Sequence, residues 1–134
     1  MCGGLGNQLF QYAAAKNLSL INDRELHIDS ITGFWTDFRD FCRFDLNKKN
    51  LRQSKIKFII IIYIIYRFLN KLFKFKKLFV NLFGFTIVDE TNLNYFEKKI
   101  KNLNKFNNVY LIGYFQSEKY FIDNNKKILA ELRP

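Results

Sequence analysis

Apolar positions recur along the chain with changing period. At Leu9, Phe10, Ala13, Ala14, Leu18 and Ile21 they return every three or four residues, with Gln8, Gln11 and Lys16 largely on the other side. That spacing predicts an amphipathic helix from about Asn7 to Ile21, ending near Asn22-Asp23. Glu25 to Asp29 then reads as a short strand, apolar at Leu26 and Ile28. From Ile31 to Asn50 the pattern becomes irregular, and rings (Phe34, Trp35, Phe38, Phe41, Phe44) alternate with Asp37, Arg39, Asp40, Arg43 and Asp45. Such a stretch predicts a loop fixed to the core by its rings. Sugar contact is the alternative, because rings cover apolar sugar faces and carboxylates accept from hydroxyls.

Phe58 to Tyr66 is an unbroken apolar run, and Arg67, Lys71, Lys74, Lys76 and Lys77 interrupt it beyond. A membrane-spanning helix needs about 20 apolar residues, so no transmembrane segment is expected. β-branched content favours a strand here, whereas the length and the lack of Gly or Pro before Gly84 favour a helix. One long helix over about 55–83 is predicted, with a break near Asn70 as an option. It reads as a core helix with solvated lysines, and a seat on an anionic membrane surface is the alternative.

Phe85 to Val88 predicts a strand leading into Asp89-Glu90, which reads as a solvated turn because neighbouring side chains on a strand point opposite ways. Asn92 to Asn108 predicts a polar loop with a helical turn at Tyr95 to Ile100. Val109 to Ile112 is continuously apolar, as in a parallel strand covered on both faces. Ser117 is placed to cap a helix running to about Leu132, with Phe121, Asn125, Ile128, Leu129 and Leu132 as its inner face. Helices alternating with strands in 134 residues predict one α/β domain.

Ahead of the first helix stands Gly3-Gly4-Leu5-Gly6-Asn7. Glycine followed by a helix presents backbone N–H groups and a positive helix end to an anion. It is not a dinucleotide fingerprint, since the third glycine position is Leu9, and no Gly-Lys-Ser/Thr follows as in a P-loop. A tight turn before a helix accounts equally well for the glycines alone.

The full string Gly3-Gly4-Leu5-Gly6-Asn7-Gln8-Leu9-Phe10-Gln11-Tyr12-Ala13 resembles the N-terminal signature of the α-1,2-fucosyltransferases, glycosyltransferase family 11. Gly113-Tyr114-Phe115-Gln116-Ser117-Glu118-Lys119-Tyr120-Phe121 resembles the same family's Gly-Tyr-Phe-Gln-Ser-x-x-Tyr-Phe segment. Glu25 to Asp29 and Phe44-Asp45-Leu46 fit more loosely.

The resemblance implies the Rossmann-like N-terminal half of a two-domain GT-B glycosyltransferase, which moves fucose from GDP-fucose to the 2-hydroxyl of a galactoside. It implies no metal and no cofactor beyond the donor. Gly4, Leu5, Gly6, Asn7 and Gln8, with Tyr114 and Gln116, are then expected at the donor and acceptor cleft. Asp29, at a strand end, is the one candidate base, and a turn cap with Ser30 and Thr32 is its other reading. The family's His-x-Arg-Arg-Gly-Asp motif, which engages the GDP-sugar, is not present: His27 is the sole histidine and Ile28-Asp29 follow it. Of the hydrophobic strand that runs into the family's glycine loop, only Met1 and Cys2 stand here. The expectation is therefore a truncated N-terminal part, inactive by itself.

Charge adds a preference for anions: 22 Lys and Arg against 12 Asp and Glu give a formal +10. Crowding with Lys, Asn, Ile and Phe is also what an AT-rich genome produces. No Arg cluster or stacking motif appears, so nucleic acid is not an expected partner. Cys2 and Cys42 have neither metal nor redox spacing, and a single His leaves no structural zinc site. There is no basic region followed by an apolar stretch of the signal-peptide kind. A reduced cytoplasmic setting is expected, with peripheral contact at the inner face of a bacterial membrane as the variant.

Overall fold

The computed structural model describes residues 1–34, 52–53, 56–73, 79–82, 84–90 and 108–132. The expected aromatic loop beyond Phe34, the polar loop at Asn92 to Asn107, Cys42 and Lys74 to Lys77 lie outside them. The described chain mixes helix and strand.

Helix α1 spans Leu5–Asn22, two residues earlier than the periodicity predicts. Gly4 precedes it with no side-chain cap, and Asp23 ends it in the left-handed region at φ 50°, its N–H bonded to Ser19 O. Strand β1 (His27–Ile28) pairs in parallel with β2 (Arg52–Gln53). Helix α2 spans Ile56–Phe73.

The single long helix expected over 55–83 is corrected here. After α2, residues Phe79–Leu82 form strand β3, antiparallel to β4 (Phe85–Asp89), with Gly84 at φ 80° between them. A glycine that adopts positive φ lets two strands turn back on each other. The hairpin thus takes the apolar residues that length alone would assign to the helix. Strand β5 (Asn108–Ile112) pairs in parallel with β4, so the sheet order is β3-β4-β5. The helix expected from Ser117 is likewise broken, into 3-10 turns at Glu118–Tyr120 and Ile122–Asn124 followed by helix α3 (Asn125–Leu132). Ser117 does cap, but it caps the first of those turns, through Lys119 N.

Strand alternation divides the core. Val88, Val109 and Leu111 face α1 and α3, packing with Ala13, Ala14, Leu18, Phe121 and Ile128. Ile87, Phe85, Tyr110 and Ile112 face α2, packing with Ile62 and Tyr66. The period of two sends neighbours to opposite faces, so β4 and β5 are covered by helix on both sides.

α2 departs from the core-helix reading. Its inner side is packed, with Phe58 against the Phe85 ring, while Ile61, Ile64, Phe68 and Leu72 are exposed. Asp89 also departs from the solvated-turn reading, because it is buried and accepts from Tyr66 Oη at 2.8 Å. The odd positions of β4 and the even positions of β5 face α2, so a carboxylate at Asp89 lands under that helix. The phenol there answers its need for a donor.

Candidate functional site

The glycine loop is held from beneath by α1. Gln11, one turn and a half into the helix, exchanges two bonds with the Cys2 backbone: Cys2 N donates to Oε1 at 2.9 Å and Nε2 donates to Cys2 O at 2.8 Å. Gln8 Nε2 donates to Gly3 O at 2.8 Å. The sequence places Gln8 and Gln11 on the polar side of the helix and Gln8 at the cleft. Both are in fact buried, and their amides fix the loop backbone. A buried amide has to find partners, and the loop supplies them.

The loop meets the second glycine-containing stretch. Gly3 sits at φ 71°, and a Cβ there would lie 2.7 Å from Asn7 Nδ2 and 3.2 Å from the Tyr114 ring. Gln116 donates from its side-chain amide to the Asn7 side-chain carbonyl. Residues more than a hundred positions apart thus come together at the N-terminus of α1 and the carboxyl end of β5.

Glu90 sets the course of the chain leaving β5. Its Oε2 accepts from Tyr114 N and Phe115 N, both at 2.7 Å. Two successive N–H groups converging on one carboxylate oxygen form an anion cradle. Phe115 contributes a left-handed φ of 53° and a ring that is wholly buried against Tyr120. Gly113 is required here: at φ 144°, a Cβ would run into Glu90 Cβ and lie 2.7 Å from its Oε2.

Asp29 follows β1 and is bound on both oxygens. Oδ1 accepts from Ile31 N and Thr32 N, each at 3.0 Å, and Oδ2 accepts from the Thr32 hydroxyl and, at 2.8 Å, from Tyr110 Oη. The turn cap expected as its other reading is therefore formed, with Thr32 and Ile31 as donors. Burial pushes the Asp29 carboxyl up, but these four hydrogen bonds together outweigh it and hold the group below the usual carboxylate range. A carboxylate so stabilised takes up a proton poorly. Tyr110 is shifted the other way, upward, by burial and by the charge of Asp29. Burial likewise raises the Cys2 thiol.

A cavity of about 1000 Å³ lies between β5 and the β1 segment, bordered by Gly3, Asp29, Thr32, Tyr110 and Tyr114. Of the residues expected at a cleft, Asp29 and Tyr114 border it. Asn7 and Gln116 meet beside its Gly3 rim. Gly4, Leu5, Gly6 and Gln8 do not line it; Leu5 is partly exposed at the helix start. Sequence reasoning does not find Glu90 or Tyr110. Glu90 looks like a turn acid, and Tyr110 hides in an apolar run. The available signal is Gly113, whose bare backbone marks a close approach.

Among the described residues no group of three His, Cys, Asp or Glu is placed to hold a metal ion. No described helix is long and apolar enough to cross a membrane. No family model, no curated protein and no solved structure matches the chain.

Proposed function

We propose that the chain is the Rossmann-like N-terminal part of a GT-B galactoside α-1,2-fucosyltransferase, acting with GDP-fucose. The observation that carries this reading is the bond between Asn7 and Gln116. It joins the two stretches that resemble the same enzyme family, and it does so at a helix N-terminus and a strand carboxyl end, where open α/β folds hold ligands.

In this reading the uncapped first turn of α1 offers its N–H groups to the diphosphate or to the fucose. Gly4 and Gly6 let the ligand approach the backbone, and Asn7 donates and accepts at a phosphate or sugar hydroxyl. Tyr114, half-exposed, gives a ring face and a hydroxyl to the sugar. The anomeric carbon of fucose loses its bond to the diphosphate and gains one to the galactoside 2-oxygen, whose proton leaves to a base. Asp29 is assigned to fixing the β1 turn rather than to that base, since both its oxygens are engaged. Charge on the departing GDP calls for arginines of the His-x-Arg-Arg-Gly-Asp kind, which the 134 residues do not contain. The chain alone is therefore expected to bind weakly and not to transfer fucose.

Calorimetric competition among GDP-, UDP- and CDP-sugars tests the donor class. Preference for GDP-fucose is expected. Preference for a UDP-sugar would replace the donor, and fucose transfer by the 134-residue chain would refute the division of labour.

A further inference from the structure

We propose that the outward face of α2 is a seat for an anionic lipid bilayer. On this helix Ile62 and Tyr66 point into the sheet and Phe58 lays its ring on Phe85, whereas Ile61, Ile64, Phe68 and Leu72 are each about half exposed, at 53%, 49%, 61% and 58%. At 3.6 residues per turn these four fall within an arc of about 80°. A lone exposed leucine is ordinary, but four large apolar side chains in one stripe mark a face that something covers.

Charge identifies the occupant. Lys71 is exposed and borders the stripe, and Arg67 is exposed one turn earlier, at the edge of the cavity. Between Leu46 and Val88 the chain has ten Lys and Arg and neither Asp nor Glu, while the remainder carries twelve of each sign. The whole formal excess of +10 thus belongs to the segment that holds α2. A compositional drift toward lysine would not leave the rest of the chain balanced. The fitting surface is apolar within and negatively charged at its boundary, which describes a leaflet containing acidic headgroups. A second copy fits poorly, because two α2 faces would bring like charges together. The helix is not of a membrane-crossing kind. It lies in the plane, with its stripe in the headgroup–acyl boundary and Lys71 reaching toward phosphate.

The inference is independent of the fucosyltransferase reading. Flotation of the purified chain with vesicles tests it, using phosphatidylcholine with and without phosphatidylserine. The chain is expected to float with the serine-containing vesicles only, and less so as salt rises. Ile64→Ser with Phe68→Ser is expected to lower the bound fraction about tenfold or more, and Lys71→Glu about tenfold. None of these three residues borders the cavity, so nucleotide binding is expected to stay unchanged. Phe68→Trp gives a second readout, an emission shift to the blue on acidic vesicles. No flotation, flotation that ignores the two serines, or a dimer abolished by Phe68→Ser in place of vesicle binding would each overturn the proposal.

Discussion

The Gln116 side-chain amide donates to the side-chain carbonyl of Asn7, tying the loop after β5 to the first turn of α1. Because the pair is exposed, its net worth to the fold is small, about 1 kcal/mol or less. Asn7→Ala and Gln116→Ala are expected to cost that much singly and no more when combined. A double-mutant cycle in urea unfolding measures this, and strict additivity would show that the two side chains do not interact.

Two glycines separate stability from ligand approach. Gly113→Ala is expected to cost about 2–4 kcal/mol, from a backbone conformation that side chains avoid and a collision with Glu90. Gly6→Ala meets nothing within 4 Å inside α1 and is expected to stabilise by up to about 1 kcal/mol. If the loop closes on a nucleotide sugar, Gly6→Ala also weakens that binding. Thermal melts paired with nucleotide titration distinguish the two effects.

Tyr66→Phe removes a donor from the buried carboxylate of Asp89 while keeping the ring in the α2-side core. A loss of about 1–3 kcal/mol is expected in urea unfolding, with the unfolding slope unchanged.

Stability is expected to fall at both pH extremes. The Asp29 carboxyl is held low in the fold, so its contribution is present above the ordinary value, near pH 4, and is lost as pH drops through the lower folded value. Tyr12, Tyr66 and Tyr110 are raised, first by burial and then by Glu131, Asp89 and Asp29 respectively. Their contribution is intact below the ordinary phenol value, near pH 10, and is lost as pH rises above it. Tyr110→Phe removes both a donor to Asp29 and a titrating phenol, so it is expected to flatten both limbs of a melting-temperature profile. An unchanged acid limb would contradict the role given to the Tyr110 hydroxyl.

Periodicity made α1, β4 and β5 legible, because one-sided helices and two-sided strands leave clear apolar patterns. It failed at Phe79 to Leu82, where a strand rich in apolar residues follows a helix rich in apolar residues and only Gly84 marks the turn. It also misjudged Gln8, Gln11 and Asp89. A polar residue reads as exposed unless its buried partner is known, and those partners are the Gly3 and Cys2 backbone and the Tyr66 phenol. At the candidate site, the residue types of both glycine stretches stood out. Their meeting through Asn7 and Gln116 depends on how β5 and α1 lie together, which no local spacing encodes. Asp29 was legible as a cap, with Tyr110 as the donor that the sequence hid.

Photocrosslinking of the chain with an azido-GDP probe, followed by peptide mapping, tests most directly whether the two glycine stretches form a nucleotide-sugar site. Adducts are expected in both Gly3 to Tyr12 and Gly113 to Phe121, suppressed by GDP-fucose and lost in Gly6→Ala. Adducts confined to other segments, or unaffected by GDP-fucose, would contradict the site.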